Sequence, residues 1–170
     1  MDAAAMTSLC NTATAIVGGD LTEAAALVVR SAAVKVDIVN EDERETGRRA
    51  LLNLGHTFAH AIEGLSSLRL AHGQAVAIGL VAAAHVGVAR GCFTQDEQDA
   101  LVALLDTIGL PTALPGPVSA GDLVDRMRFD KKNVGAAMRL IVPHSGGGAS
   151  ICDDVEPNVV LGAWRSIGAG

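Results

Sequence analysis

The amino-acid sequence predicts a mainly α-helical, bundle-like domain with one small β-hairpin near the C-terminus. Of the 170 residues, 49% are hydrophobic, chiefly Ala, Val and Leu, and only 2% are aromatic. Small aliphatic side chains favour closely packed helices over a β-sandwich. Helix-start and helix-stop signals recur along the chain, and two short β-rich segments flank a glycine-rich turn. The length suits one domain with its own core and is short for two.

The chain opens with a segment that carries little structural signal. Residues 1–19 are rich in Ala and Thr without a sharp apolar period, so we expect a poorly specified helix there and place the domain at 20–170. Asp20, with Glu23 three positions later, predicts a capping box that opens an apolar helix reaching about Val39.

Two further helices are predicted in the middle of the chain. A charged break over residues 40–45 precedes a second helix, which we predict to be continuous over about 47–63. A polar connection over 66–71 leads to a third helix, at about 74–90. This helix is apolar nearly all round, which is typical of a buried position.

The last part of the chain combines helices with the hairpin. Thr94 and Glu97 predict a second capping box, which opens a helix ending near Ile108. The remaining predicted elements are a helix near 122–129, two strands near 139–142 and 149–152 around the glycine turn 146–148, and a final helix near 157–167.

Charge and cysteine content exclude several classes of protein. The net charge is −6 and the Lys and Arg residues are scattered, so no basic surface indicates a nucleic-acid partner. The three cysteines form no CxxC pair and are expected to be free thiols in a reducing cytosol. No basic segment typical of a signal peptide opens the chain, and the longest apolar run, 75–84, is too short to cross a bilayer. We expect a soluble, cytoplasmic protein without a membrane partner.

The segment 48–63 carries the chemistry. If it is one α-helix, turning about 100° per residue, Arg49, Asn53, His56 and His60 fall within a stripe roughly 60° wide. The apolar residues turn to the other side; they are Leu51, Leu54, Phe58, Ala61 and Ile62. Arg binds carboxylates, Asn both donates and accepts, and imidazole binds metal ions or moves protons. The stripe therefore predicts a site for a small anionic or polyhydroxylated ligand.

Alternatives to this site remain open. The stripe could be a solvated helix face with incidental histidines. A zinc protease is excluded because Thr57 stands where the HExxH signature needs Glu. His72 precedes the buried helix and can approach the stripe, but two histidines are too few for a tight metal site, so a third ligand must come from elsewhere. His85 and His144 are interpreted as structural.

Six segments resemble motifs of 3-dehydroquinate synthases and follow in the same order. They are KVDIV at 35–39, DERETG at 42–47, LNLGHTFAHAIE at 52–63, HGQAVAIG at 72–79, GLP at 109–111 and DKK at 130–132. The resemblance covers about 20–155. It implies a two-domain enzyme, with NAD in an N-terminal α/β domain and a divalent metal in the cleft against a C-terminal helical domain.

The resemblance also implies roles for single residues. His56 and His72 would ligate zinc or cobalt beside the substrate, and His60 and Glu45 would be the acid/base groups. The remaining substrate-binding residues would be Arg49, Asn53, Lys35 and Lys131, the last at the phosphate. The implied substrate is a heptulosonate phosphate, which loses phosphate and closes to 3-dehydroquinate in a step of aromatic amino acid biosynthesis.

The departures from the family concern what is missing. The family's third metal ligand is a Glu in a Glu-x-x-Lys helix, which residues 1–34 lack, and no GxGxxG-type nucleotide motif occurs in the chain. Ala59 replaces a usual Gly, and Gln74 a frequent Glu. We therefore expect an incomplete active site that needs an N-terminal NAD-binding half, within a homo-oligomer. Two rival interpretations are a related sugar phosphate cyclase of secondary metabolism and a non-catalytic helical binding module.

Overall fold

The computed structural model describes residues 3–44, 47–65, 67–129 and 138–170, which are mostly helical. The α-helices are α1 Ala3–Val17, α2 Leu21–Glu41, α3 His56–Glu63, α4 His72–Ala89, α5 Gln95–Thr107, α6 Ala120–Phe129 and α7 Pro157–Ser166. A 3₁₀ helix, η1, spans Arg48–Asn53, and strands β1 Met138–Pro143 and β2 Ala149–Val155 pair antiparallel. The predicted mainly α class with a small hairpin is confirmed. The division into 1–19 and 20–170 stays a prediction.

Helix α4 is the centre of the core. It contacts α3, α5, α7 and β1, and ten of its 18 residues are buried. By length and hydropathy α4 could also cross a membrane, but 56% of it lies buried inside the domain. Burial among other helices accounts for its apolar character.

Two aromatic side chains join the helices around α4. Phe58 of α3 and Trp164 of α7 meet edge to face with ring centroids 5.0 Å apart, and both are almost completely buried. The indole Nε1 of Trp164 donates to Met127 Sδ of α6 at 3.2 Å, so the buried N–H has a partner. The end of α3 is held as well, because Arg126 Nη1 of α6 donates to the Gly64 carbonyl oxygen at 3.1 Å.

Capping residues begin the helices where the sequence places them. Asp20 accepts hydrogen bonds from the backbone N–H groups of Thr22 and Glu23 at the start of α2. Thr94 and Glu97 form the reciprocal capping box of α5. Both predicted helix starts are confirmed; the Thr94–Glu97 capping box is present, whereas the reciprocal bond predicted for Glu23 stays a prediction.

Glu97 also holds the hairpin turn. Its carboxylate accepts from the Ser145 hydroxyl and from the Gly146 backbone N–H at 3.2 Å, in addition to the Thr94 N–H at 3.0 Å. The bond from Ser145, followed by the backbone bond from Thr94, lowers the pKa of Glu97 to about 2. The ionised carboxylate therefore favours the folded state.

Glu97→Gln should make the stability of the domain less dependent on acid pH. A free Glu has a pKa of about 4.3, so the contribution of ionised Glu97 is complete above that value and is lost as the pH falls towards about 2. The difference in thermal midpoint between parent and variant should be largest above pH ~5 and shrink towards pH ~2. Asp96→Asn, which removes a neighbouring charge, is the control; a difference between parent and Glu97→Gln that is independent of pH would contradict this role.

The second predicted helix is wrong in its continuity. Residues 47–63 form the 3₁₀ helix η1, a break at 54–55, and then α3. The break occurs because Gly55 adopts φ 79°, and because its carbonyl oxygen lies against Gly79 of α4. A continuous helix would separate these two backbones. Arg49 and Asn53 therefore do not share one continuous helix face with His56 and His60.

Candidate metal and substrate site

Three histidines meet where α3 and α4 begin. The ring centroid of His56 lies 5.9 Å from that of His60 and 5.5 Å from that of His72. His56 and His60 are one turn apart on α3, whereas His72 is the first residue of α4 and returns to them across the α3–α4 loop. The predicted approach of His72 to His56 is thus present in the structure.

Hydrogen bonds orient two of the three rings. His56 Nδ1 lies 3.3 Å from the Leu54 carbonyl oxygen, and His72 Nδ1 lies 2.8 Å from Glu63 Oε1. Each oxygen is an acceptor, so each Nδ1 carries the proton in these bonds. In the neutral rings the lone pair that can bind a metal then belongs to Nε2.

The pair His56 and His72 fits one divalent ion in part. Two imidazoles on a tetrahedral zinc, with Zn–N bonds of about 2.0–2.1 Å, have ring centroids about 5 Å apart. The observed 5.5 Å is close to this value. Within the residues that the structure describes, no group of three His, Cys, Asp or Glu side chains could hold an ion. The described residues thus contain a close pair of histidines, but not the three protein ligands that a catalytic zinc usually takes.

Arg49 and Asn53 lie on η1, on the other side of the break at Gly55 from the histidine helix. The backbone N–H groups of Gly47 and Arg49 both donate to Asp42 Oδ2, at 2.8 and 3.0 Å. Arg49 Nη1 donates to the Glu43 carbonyl oxygen at 3.0 Å. The acidic turn after α2 therefore positions Arg49, which is half-buried, as is Asn53.

The other predicted site residues are Lys35, Glu45 and Lys131. Lys35 is exposed on α2. Glu45 and Lys131 lie outside the described residues, so the approach of Lys131 to the cleft stays a prediction.

Leu51 and Leu54 are half-buried, whereas Phe58, Ala61 and Ile62 of α3 are buried, as expected for the packing side.

Two histidines predicted to be structural lie elsewhere. Burial lowers the pKa of His85 on α4, so its ring favours the neutral form. His144 Nε2 lies 2.7 Å from the Ser150 hydroxyl within the hairpin. Both positions agree with a packing role.

Sequence reasoning missed the residues that fix His72. Gln74 Oε1 accepts from the Ala71 backbone N–H at 3.0 Å, which caps α4 at the residue before His72. A Glu at position 74 could accept the same bond, so this contact keeps the cap but does not explain the change from Glu to Gln. Glu63, the last residue of the LNLGHTFAHAIE segment, contacts the His72 ring. The sequence signal for this contact is its position seven residues after His56, on the same face of the helix.

Solved structures identify the class of fold. A 2-epi-5-epi-valiolone synthase from Streptomyces hygroscopicus subsp. jinggangensis 5008, solved with NAD⁺ and Zn²⁺ bound, superposes with a TM-score of 0.79 over 95% of this chain and 46% of its own, at 18% identity. A 2-deoxy-scyllo-inosose synthase complexed with carbaglucose-6-phosphate, NAD⁺ and Co²⁺ gives 0.64 over 79% and 39%, at 19% identity. The chain has the fold of the matched parts of these two synthases.

Sequence comparison identifies the family. The family model "3-dehydroquinate synthase C-terminal" matches residues 1–133. A 3-dehydroquinate synthase of Xanthomonas campestris pv. campestris (strain 8004) is 42% identical over 153 residues, which are 86% of this chain and 41% of that protein. One from Nostoc punctiforme is 38% identical over 135 residues, 79% of this chain and 37% of that protein. The chain belongs to the 3-dehydroquinate synthase family and corresponds to its C-terminal part. It spans about two fifths of the length of these relatives.

Proposed function

We propose that this chain is the metal- and substrate-binding half of a 3-dehydroquinate synthase. The observation that carries the proposal is the pair His56 and His72, whose rings lie 5.5 Å apart with both Nδ1 atoms bonded to acceptors. The pair occurs within two motifs typical of the family. The proposed reaction converts 3-deoxy-D-arabino-heptulosonate 7-phosphate to 3-dehydroquinate and phosphate.

Each site residue has a role in this proposal. His60 and Glu45 move protons, and Arg49 and Asn53 bind the carboxylate end of the substrate. Lys35 binds a hydroxyl or carboxylate, and Lys131 the phosphate. When bound, the divalent ion, zinc or cobalt, supplies Lewis acidity and NAD supplies reversible hydride transfer. The NAD site and the third metal ligand belong to the N-terminal half.

The exposed apolar surface of α2 supports the proposal that an N-terminal NAD-binding half packs against this chain. None of the residues of α2 is buried. Leu21, Val28, Val29 and Val36 are 81%, 67%, 69% and 54% exposed, and at about 100° per residue they share an arc of roughly 100°. We call these four residues the α2 stripe. Half-buried residues such as Leu27 and Ile38 lie on the opposite side of the helix, so the stripe faces away from the domain.

We infer that the NAD-binding half covers the α2 stripe. A continuous apolar face of this kind marks an interaction site in soluble proteins. The relatives contain more than half of their length beyond the region matched here, which is ample chain for such a contact. Lys35 adjoins Val36 on the same helix, so a partner bound there would also reach a proposed substrate-binding residue. A second copy of this chain is the competing occupant.

A related cyclase of secondary metabolism is the second candidate function. The similarity in fold to the valiolone and inosose synthases favours it. The identity of about 40% to several dehydroquinate synthases favours the first proposal. Supplying heptulosonate, sedoheptulose and glucose phosphates to the completed enzyme distinguishes the two candidate functions by which substrate is turned over.

A cytoplasmic location suits the three free thiols, and a homo-oligomer stays a prediction.

The metal pair gives a direct test of the proposal. The chain alone should bind Zn²⁺ or Co²⁺ weakly, because two imidazoles leave the ion mostly hydrated, and His56→Ala or His72→Ala should each remove this binding. Calorimetric titration measures it. His144→Ala, which removes an imidazole of the hairpin, is the matched control and should bind as the parent does. Unchanged binding by both cluster variants would refute the site and favour a non-catalytic module.

A further inference from the structure

Glu63 is the residue around His72 to which the predicted site gives no role. Its Oε1 lies 2.8 Å from His72 Nδ1, and the side chain is 31% exposed. We propose that Glu63 is a positioning residue, which holds the His72 ring so that Nε2 faces a metal ion shared with His56. This inference rests on the proposed function.

The geometry of α3 brings Glu63 to the metal pair. His56, His60 and Glu63 are the first, fifth and last residues of this helix. Turning about 100° per residue, Glu63 lies roughly 20° from His56 and roughly 60° from His60, so the three side chains leave one face. Because Arg126 binds the carbonyl oxygen of Gly64, the end of α3 that carries Glu63 is fixed against α6.

Glu63 contributes little to folding by comparison. The His72 side chain is 61% exposed, and a contact between exposed polar side chains contributes little to the free energy of folding. An exposed imidazole without a partner samples several rotamers and both tautomers. A carboxylate that accepts from Nδ1 selects one ring orientation and leaves the lone pair on Nε2. Metal-binding histidines commonly donate their other ring N–H to a carboxylate in this way.

A role for Glu63 as a metal ligand is the main alternative. Its Oε1 is occupied by the His72 N–H, and the described residues contain no cluster of three potential ligands. The two roles differ in what Gln can replace. A Gln side chain keeps an oxygen that accepts from Nδ1, but it is a poor ligand for zinc or cobalt.

Nuclear magnetic resonance can test the positioning role in two steps. In the metal-free chain, above the ordinary imidazole pKa of about 6.5, long-range ¹H–¹⁵N spectra should show His72 protonated at Nδ1. Glu63→Ala should give a mixture of tautomers, and Glu63→Gln should restore the Nδ1–H form. In a Co²⁺ titration, paramagnetic broadening of the His72 signals should require about 10–100-fold more metal in Glu63→Ala than in the parent. Glu63→Gln should require an amount within about threefold of that of the parent.

Controls separate this inference from the proposed function. Asp99→Ala removes an exposed carboxylate of α5 and should titrate as the parent does. In a His72→Ala background, Glu63→Ala should have no further effect. If the parent binds Co²⁺ and His72→Ala does not, but Glu63→Ala binds as the parent does, the positioning role is wrong and the metal site stands. Equal losses in Glu63→Ala and Glu63→Gln would also overturn it, in favour of direct ligation. A parent that binds no Co²⁺ would overturn both.

Discussion

Replacing Gly79 by Ala is expected to destabilise the domain by about 3 kcal/mol or more, at the upper end of what overpacking costs. A Cβ atom at Gly79 would overlap the Gly55 carbonyl oxygen and lie 3.1 Å from the Ala59 nitrogen. Both are backbone atoms, so no side-chain rotation can relieve the contact. Helices α3 and α4 would have to move apart, although their close packing forms much of the core.

The same substitution should disturb the site, because His56 follows Gly55 directly and His72 begins α4. We expect Gly79→Ala to lose Co²⁺ binding together with stability. Urea unfolding at equilibrium measures the free energy of unfolding. Gly73→Ala, in the first turn of the same helix with nothing within 4 Å of the new Cβ, is the matched control and should be neutral or stabilising. Equal stability of the two variants would show that α3 and α4 are not in backbone contact.

Local signals predicted most of the helices. Asp20, Thr94 and Glu97 bind the backbone as their positions indicate, and the three consecutive glycines 146–148 adopt φ of 80°, 95° and 99° in the hairpin turn. Such signals act within a few residues, so they can be read from one stretch of sequence. The apolar helix α4 was predicted as buried because its composition leaves no polar face.

The break at Gly55 could not be predicted in this way. It depends on contact with Gly79, which is 24 residues further along the chain. Nothing near Gly55 distinguishes a helical glycine from one in a left-handed turn, since glycine allows both. The prediction that Arg49, Asn53, His56 and His60 share one helix face therefore assumed a continuous helix, which tertiary packing interrupts at Gly55.

The grouping of the three histidines was predicted from the sequence, whereas the contacts that hold them in place were not. His56, His60 and His72 lie together as the motifs imply, since imidazoles are recognisable by type. Glu63 was not singled out, because a carboxylate at the end of an amphipathic helix is usually solvated. Its role depends on the turn that brings His72 back to α3, and that turn has no clear sequence signal.

Activity should appear only when this chain is combined with a nucleotide-binding half. The chain alone, supplied with NAD, Zn²⁺ and 3-deoxy-D-arabino-heptulosonate 7-phosphate, should release no phosphate, since the cofactor site and one metal ligand are absent from its motifs. Adding the part of the Xanthomonas campestris relative that this chain does not match should restore turnover. The expected change is from no phosphate release to measurable phosphate release.

Variants of the α2 stripe make this reconstitution specific. Val28→Glu with Val29→Glu places two charges on the proposed contact and should prevent both association and turnover, because burying unpaired charges is unfavourable. Val34→Glu is the matched control: Val34 is 57% exposed on the same helix but lies roughly 120–160° away from the three valines of the stripe. Sedimentation shows whether the stripe pairs two copies of this chain instead.

Phosphate release by the mixture of the two halves tests the central claim most directly. We expect phosphate release with both halves present and none with either half alone. Release should be lost with Val28→Glu and Val29→Glu combined, but not with Val34→Glu. Turnover by the 170-residue chain alone would contradict the central claim, as would a complex that forms through the stripe, binds NAD and metal, and still fails to convert the heptulosonate phosphate.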